Sequence, residues 1–150
     1  MTSAMRRLSF MLSRSNTDAV VVTPCIDDAP LMDLVQAFAR RYGGAGGSRF
    51  GGLIPAYFNY GPFEAYFAGQ GYCAGETSGE IYVLGCECGE VGCDPFTTVV
   101  TLGDDTVTWD AFANGAGAGY AALGPFIFER EQYEEAVRDM IAELATRNAS

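Results

Sequence analysis

Two residue types that carry much of the chemistry of enzymes are missing from this chain. None of its 150 residues is His, and because all nine basic residues are Arg, Lys is missing as well. Without His the chain lacks the usual general base at neutral pH and the commonest metal ligand. A Ser–His or Cys–His catalytic pair within the chain is also excluded. We therefore assign no catalytic residue and expect any chemistry to begin at the thiols.

Long apolar runs are missing too. No segment approaches the ~20 apolar residues that a membrane helix needs. Residues 5–12 have the basic and apolar character of a signal sequence, but Ser9 interrupts the apolar part and no small-residue cleavage site follows. We expect no membrane association, a poorly ordered N-terminus over residues 1–17, and a cytoplasmic location in which the five Cys are reduced thiols.

The composition is that of a folded and strongly acidic protein. Hydrophobic residues make up 49% of the chain, and 19 acidic residues against nine basic ones give a formal net charge of −10. This length and apolar content predict a single domain over residues 18–150. A surface of this charge repels nucleic acid and anionic membranes, and it favours a partner protein with a basic surface.

Two segments have the apolar spacing of amphipathic helices. In the first, Asp27 and Asp28 are predicted to supply the N-cap and Gly43 to end the helix. The second is predicted to begin near Arg130, with Glu134 and Arg138 as an ion pair across one turn. Between the helices, residues 43–52 contain six Gly and are expected to form a flexible loop.

Runs rich in β-branched and aromatic residues predict the strands. They lie at residues 19–23, 81–84, 96–102, 106–109 and 126–128. In the pair joined by a short loop at residues 103–105, Val107 and Trp109 share the face expected to be packed. The order of elements predicts an α+β fold, with a meander around a cysteine-rich connection in an antiparallel sheet and two main helices packed on it.

An aromatic segment at residues 53–72 has two interpretations. It can pack over the core, as most aromatic side chains do. Alternatively, it can form an exposed patch for a partner protein. The second interpretation names candidate interaction residues in the first half of the segment: Tyr57, Phe58, Tyr60 and Phe63.

The connection at residues 85–95 holds three Cys in eight residues, Cys86, Cys88 and Cys93, and Cys73 lies 13 residues before Cys86. Four thiolates can bind zinc, although C-x-C-x4-C is not a standard zinc-ligand spacing. Alternatively, Cys88 and Cys93 can form a disulfide across a glycine turn. The nearby carboxylates oppose a reactive thiol by raising its pKa. The third interpretation is a set of small, buried and inert Cys.

Three short motifs resemble those of a group of small uncharacterised bacterial proteins. They are Gly85-Cys86-x-Cys88-Gly89-Glu90-x-Gly92-Cys93-x-Pro95, Val107-Thr108-Trp109-x-x-Phe112 and Gly124-Pro125-Phe126-x-Phe128-x-Arg130-x-Gln132-Tyr133-x-x-Ala136. The group has an aromatic residue where this chain has Asp94. The resemblance implies a bacterial, intracellular protein of one domain, and it gives no residue a role.

These observations lead to one preferred function and two alternatives. The preferred function is a non-enzymatic, acidic protein-interaction or regulatory domain whose partner carries a basic surface. The first alternative is a small metalloprotein with a structural zinc held by Cys86, Cys88, Cys93 and Cys73. The second is a thiol redox protein that uses Cys88 and Cys93.

Overall fold

The computed structural model describes residues 5–15, 18–42, 50–55, 62–70, 79–86, 96–113 and 120–148. Within these stretches the elements follow one another as β1 (Leu8–Arg14), β2 (Val20–Ile26), β3 (Ala29–Pro30), α1 (Leu31–Tyr42), β4 (Phe50–Gly51), α2 (Phe63–Phe67), β5 (Glu80–Cys86), β6 (Phe96–Leu102), β7 (Thr106–Ala113), β8 (Phe126–Glu129) and α3 (Arg130–Asn148). A short 3₁₀ helix at Ala121–Leu123 precedes β8. The predicted α+β class is confirmed.

The strands lie in two antiparallel sheets rather than in one. One sheet has the order β1-β2-β3, and the other has the order β4-β5-β6-β7-β8. Two isolated bridges connect them, from Arg6 to Phe128 on β8 and from Leu53, after β4, to Val22 on β2. The two sheets therefore adjoin at both outer strands of the larger sheet. One hydrophobic cluster takes side chains from both sheets and from all three helices.

The C-terminal half follows the sequence prediction closely. β6 has the predicted bounds, and Val107 and Trp109 of β7 are both fully buried, as expected for a packed face. α3 begins at Arg130, whose backbone N–H donates to the carbonyl of Asp105 at 2.9 Å. The guanidinium of Arg130 donates to the carbonyl of Gly103, also at 2.9 Å. The loop between β6 and β7 thus holds the first residue of α3.

The N-terminal segment contains a strand, which corrects the expectation of a poorly ordered stretch over residues 1–17. β1 pairs with β2 along its whole length, from Leu8 opposite Ile26 to Arg14 opposite Val20. Leu8 and Leu12 are buried, whereas Met11 is 44% exposed. This two-residue alternation is typical of a strand with one packed face. Residues 8–14 are therefore part of the folded structure.

Asp27 and Asp28 form a hairpin turn and not the predicted N-cap of α1. Both have positive φ, 53° and 68°, and the residues on either side pair, Ile26 with Ala29. A two-residue loop with positive φ at both positions is a type I′ turn, which Asp tolerates better than most residues. The helix begins only after the hairpin, at Leu31.

The Asp27 carboxylate holds the beginning of β1. It accepts the backbone N–H of Arg7 and the guanidinium of Arg6, both at 2.9 Å. The backbone N–H of Asp27 donates in turn to the carbonyl of Arg7 at 2.8 Å. The hydrogen bond from Arg6 is the largest cause that lowers the pKa of Asp27, and the N–H of Arg7 lowers it further.

Part of the predicted flexible loop is ordered: residues 50 and 51 pair with β5 of the larger sheet, and Gly52 packs against the smaller sheet. A Cβ on Gly52 would lie 2.5 Å from Oγ1 of Thr23 and 2.8 Å from the carbonyl oxygen of Val22. Only Gly permits so close an approach of two backbones. Residues 43–49 of the predicted loop lie outside the described residues.

A buried tyrosine joins α3 to two other elements. The indole N–H of Trp109 on β7 donates to the hydroxyl of Tyr133 at 2.9 Å, and that hydroxyl donates to the carbonyl of Phe67 on α2 at 2.5 Å. Tyr133 and Trp109 are only 2% and 0% exposed. Burial raises the pKa of Tyr133, and the hydrogen bond from Trp109 opposes that rise. One hydroxyl thus satisfies a donor and an acceptor that are both withdrawn from water.

Candidate functional site

The structure describes only part of the predicted cysteine site. Cys86 is the last residue of β5, and its backbone pairs with Phe50 of β4. The side chain of Cys86 and the whole of Cys73, Cys88 and Cys93 lie outside the described residues. The zinc, disulfide and inert interpretations therefore stay predictions. Among the residues that are described, no group of three Cys, Asp or Glu side chains is arranged to hold a metal ion.

The strands at the base of the cysteine connection close it into a loop. Leu84 near the end of β5 pairs with Phe96 at the start of β6, and both side chains are fully buried. Directly opposed residues of antiparallel strands have Cα atoms about 4.5–5.5 Å apart. The two described ends of the connection therefore lie next to each other in the sheet, and Cys86 follows Leu84 by two residues on β5.

Cys25 is a core residue and not a reactive thiol. It is 6% exposed, and its Sγ donates to the carbonyl of Thr23 at 3.7 Å. Burial is the largest cause that raises the pKa of Cys25, and Asp28 and Asp33 raise it further against a hydrogen bond with Ser9. A nucleophilic thiol needs the opposite shift. Cys25 therefore contributes packing.

Of the predicted aromatic interaction residues, the structure describes Phe63 alone. Its side chain is 8% exposed, and its ring centroid lies 6.1 Å from that of Tyr66 and 5.6 Å from that of Phe67. Phe63 thus belongs to the core, which corrects the expectation of an exposed aromatic at this position. The other three lie outside the described residues: Tyr57, Phe58 and Tyr60.

The solvent-facing side of α3 carries a row of carboxylates. Four acidic residues recur at every fourth position, and we call them the α3 stripe: Glu131, Glu135, Asp139 and Glu143. Residues four apart in a helix lie next to each other on its surface. All four are exposed. The stripe therefore presents a continuous negative ridge to solvent.

The arginines of α3 neutralise little of the stripe. Arg147 pairs with Glu143 at 3.1 Å. Arg130 pairs at 3.1 Å with Glu134, which lies outside the stripe and was predicted to pair with Arg138 instead. Within the described part of the chain, Glu131, Glu135 and Asp139 have no ion pair. Their charges are free to act on a partner.

Concave surfaces on both sides of α3 share this acidic character. A groove of about 160 Å³ between α3 and β1 is lined by Arg7, Phe10, Glu135, Asp139 and Glu143, among others. On the other side, a groove of about 260 Å³ has an apolar floor and a rim that includes Glu64, Glu134 and Arg138. A third, at the start of the helix, is lined by acidic residues of the β6–β7 loop, β8 and α3 around Arg130: Asp104, Asp105, Glu129, Glu131 and Glu134.

The stripe is a feature that the sequence shows but that we did not predict from it. The helix dipole favours anions in the first turn of α3. That explanation reaches Glu131 but not Asp139 or Glu143, which lie far beyond the first turn. The four-residue recurrence of acidic side chains was the available signal.

Comparison of the chain with protein-family models, curated proteins and solved structures finds no match. Among the described residues, none of the helices is long and apolar enough to cross a membrane. Interpretation of the surface therefore depends on the geometry and charge of the chain itself.

Proposed function

We propose that this protein is a non-enzymatic, acidic interaction domain that binds the basic surface of a partner protein. The α3 stripe is the observation that carries the proposal. It lies beside two of the acidic grooves, and three of its four carboxylates have no ion pair among the described residues. The formal net charge of −10 adds to the same potential.

The folding of the helix does not explain the stripe. Like charges four residues apart on a helix are destabilising by roughly 0.2–0.5 kcal/mol per pair. The stripe contains three such pairs of like charges in succession: Glu131–Glu135, Glu135–Asp139 and Asp139–Glu143. A charge pattern that works against the helix, yet lines a groove, is better explained by a ligand of opposite charge. A basic partner turns the repulsion into attraction.

Electrostatic complementarity predicts a particular kind of binding. Opposite surface charges mainly accelerate association and improve specificity, and salt screens them over about 8–10 Å at physiological ionic strength. We expect the complex to form readily at low salt and to weaken steadily as salt is added. A complex held by an apolar interface would respond much less.

The test is affinity capture from a lysate of the source cells. Immobilised wild-type protein is compared with Glu131→Gln/Glu135→Gln/Asp139→Asn, which removes the unpaired charges of the stripe with little change in shape. Captured proteins are identified by mass spectrometry, and each candidate is purified and titrated against both proteins at increasing salt. The proposal expects a partner with a basic surface whose affinity falls with salt and with the triple variant.

A matched control separates local from overall charge. Asp33→Asn/Glu80→Gln/Asp110→Asn removes the same number of charges away from the stripe and its grooves and should bind almost as tightly as wild type. No complex, or a complex insensitive to both salt and the triple variant, would refute the proposed function.

The closed base of the cysteine connection favours a second candidate, a structural zinc site. Because Leu84 and Phe96 pair at the base, the loop between them returns to its own start, and this shortens the distance that the thiols must bridge. Four thiolates from Cys73, Cys86, Cys88 and Cys93 would complete a tetrahedral site. The site is independent of the α3 stripe and compatible with it.

Elemental analysis of protein purified without chelator tests the zinc site. One equivalent of zinc is expected, with loss of the metal in Cys88→Ser and retention in Cys25→Ala, because Cys25 lies in β2. Less than about a tenth of an equivalent in the wild type would exclude a structural site, since such sites bind zinc by roughly 10–16 kcal/mol. A protein mass lower by two hydrogen atoms, assigned to a disulfide between Cys88 and Cys93, would support the thiol redox alternative instead.

A further inference from the structure

Strand β1 has one edge paired with β2 and another edge that is open over part of its length. On the outer edge, the N–H of Arg6 donates to the carbonyl of Ile127 on β8 at 2.7 Å. Gln132 of α3 covers the next outward position, because its side-chain amide accepts the N–H of Leu8 at 3.0 Å and donates to its carbonyl at 2.6 Å. This edge is thus closed up to Leu8.

Beyond Leu8 the outer edge has no such cover. In an antiparallel pair, successive residues direct their backbone polar groups alternately toward and away from the neighbouring strand. Arg7 bonds to Asp27 on the β2 side, whereas Leu8 bonds outward, so Phe10 and Leu12 also direct their N–H and C=O outward. No described residue pairs with these outward groups. An open strand edge of this kind is a template for another strand.

An exposed apolar side chain lies on the same stretch. Only two large hydrophobic side chains are exposed among the described residues, Met11 at 44% and Met5 at 54%, and both lie on or next to β1. Met11 stands between the two open positions, Phe10 and Leu12. An added strand would cover part of its side chain. The apolar surface and the unpaired backbone therefore occupy one place.

We propose that an extended basic segment of the partner protein adds to β1 as a further strand at Phe10 and Leu12. This inference rests on the proposed function and adds a site and a binding mode to it. The groove beside Phe10 is lined by Glu135, Asp139 and Glu143. Main-chain bonds to β1 supply the register, and Lys or Arg side chains of the segment reach the carboxylates of α3.

The charge of the surface around the open edge of β1 favours a basic segment, and not a second copy of this chain, as its occupant. Two copies that paired through β1 would bring together two molecules of formal net charge −10, each with its own α3 stripe beside the edge. Like charges placed opposite one another across an interface are unfavourable. A basic segment places the opposite charge at the same position.

The probe for this site is a synthetic peptide of alternating Lys and Val, capped at both ends and matched in length to β1. Its affinity for the full-length protein is measured by fluorescence anisotropy. Amide hydrogen exchange at Phe10 and Leu12 is followed by NMR with and without the peptide. The inference expects binding and slower exchange at these two amides.

Two controls separate strand addition from simple charge attraction. A peptide methylated at every backbone nitrogen keeps the charges but loses the donors, and it should bind at least about ten-fold more weakly, since a backbone hydrogen bond contributes about 1 kcal/mol. Met11→Lys places a like charge against the peptide and should weaken binding, whereas Met5→Lys, the same change outside the open stretch, should have little effect.

The carboxylates of the groove are tested separately. Glu135→Gln/Asp139→Asn should lower the affinity for the peptide by about five-fold, which is in the range expected for the loss of two exposed charge pairs. Asp33→Asn/Asp110→Asn removes two exposed charges of α1 and β7, away from the edge and from the α3 stripe, and should leave the affinity within about two-fold, as single surface pairs often contribute little.

The outcomes distinguish this inference from the proposed function. Equal binding of the methylated peptide, with unchanged exchange at Phe10 and Leu12, overturns strand addition while a salt-sensitive natural partner still supports the proposed function. Failure of the unmethylated peptide to bind also overturns the inference. Concentration-dependent protection of the two amides without peptide overturns it as well, because a second copy is then the occupant.

Discussion

The two faces of helix α3 show a clear division of roles. The inner face is buried, with Tyr133, Val137 and Met140 at 2–4% exposure. Tyr133 there makes hydrogen bonds that connect α3 with α2 and β7. The outer face carries the α3 stripe, whose unpaired carboxylates contact solvent. The inner face holds the fold together, and the outer face contributes charge.

This difference indicates where the molecule tolerates change. A buried polar group that loses its partner costs the full price of its desolvation, whereas an exposed charge without an ion pair costs little to remove. Substitutions on the inner face should therefore reduce stability, and substitutions on the outer face should reduce binding. The following predictions test this division, beginning with the largest expected effect.

Tyr133→Phe should be strongly destabilising. The change leaves the indole N–H of Trp109 without an acceptor and the carbonyl of Phe67 without its donor, both in the core. We expect a loss of about 2–4 kcal/mol in the free energy of unfolding. Urea denaturation followed by tryptophan fluorescence measures it. Tyr66→Phe, which removes the hydrogen bond to the carbonyl of Tyr82, is the comparison and should cost less.

A cost below about 0.5 kcal/mol for Tyr133→Phe would contradict this role of the inner face. It would mean that water or a neighbouring group replaces the hydroxyl at no cost, which a site this deeply buried should not permit.

Gln132→Met tests the border between the two faces. Gln132 is half-buried, and its amide bonds to both backbone groups of Leu8, so that the helix side chain imitates a neighbouring strand. Met keeps the volume but provides neither bond. We expect a loss of about 1–2 kcal/mol and faster hydrogen exchange at the Leu8 amide.

Gln132→Glu is the comparison that keeps the acceptor for the Leu8 N–H, but it replaces the donor by a charged carboxylate oxygen that faces the Leu8 carbonyl. It should be at least as destabilising as Gln132→Met, while exchange at the Leu8 amide should stay slower than in Gln132→Met. Unchanged exchange at Leu8 in Gln132→Met would show that Gln132 does not hold this part of β1.

The parts of the fold that were predicted correctly depend on local sequence. In α3 the apolar spacing and the first residue agree with the structure, and β6 is a single β-branched run with a polar turn after it. Neither element requires a distant residue for its definition. Local pattern and final structure coincide there, as expected for a consistently specified sequence.

The errors occur where a distant strand decides the local structure. β2 continues past Thr23 through Pro24. The N–H that Pro24 lacks would point away from β1, into the gap between the bridge at Val22 and the start of the pairing with β3 at Cys25, so the pairing of β2 does not need it. The predicted strand ended at Thr23, where the run of β-branched residues ends. The helix start at Asp27 was wrong for a similar reason, since a two-residue strand has no recognisable sequence pattern.

Only one of the two parts of the candidate site could be predicted from the sequence. The α3 stripe follows from a four-residue recurrence that is visible in the sequence. Its position beside the open edge of β1 is not visible, because the contact between Gln132 and Leu8 spans 124 residues. The apolar alternation of Leu8, Phe10 and Leu12 could have indicated a strand, but not which edge stays open.

Asp27 is expected to make the stability depend on pH. Its pKa is lowered in the folded state, so the folded protein binds fewer protons here than the unfolded chain. The contribution is therefore present above the unfolded pKa of about 3.9 and is lost as the pH falls through the folded pKa. Because Asp27 and Arg6 are both more than 40% exposed, it should not exceed about 1 kcal/mol.

Comparison of wild type with Asp27→Asn by urea unfolding from pH 6 downward measures this contribution. Asn also tolerates the positive φ of the turn. The difference between the two proteins should shrink in the acid range. A difference that stays constant would mean that the turn, and not the charge, holds β1.

Glu135→Gln/Asp139→Asn should have the smallest effect on stability and gives the strictest test of the division. Removing a like-charge neighbour on the helix should leave the free energy of unfolding unchanged or raise it by about 0.2–0.5 kcal/mol. Thermal and urea unfolding measure this change. Glu134→Gln is the control, because it removes the ion pair with Arg130 and should cost about 0.3–0.5 kcal/mol. If the double variant instead lost more than about 1 kcal/mol, the stripe would contribute to the fold, and its unpaired charges would no longer point to a partner.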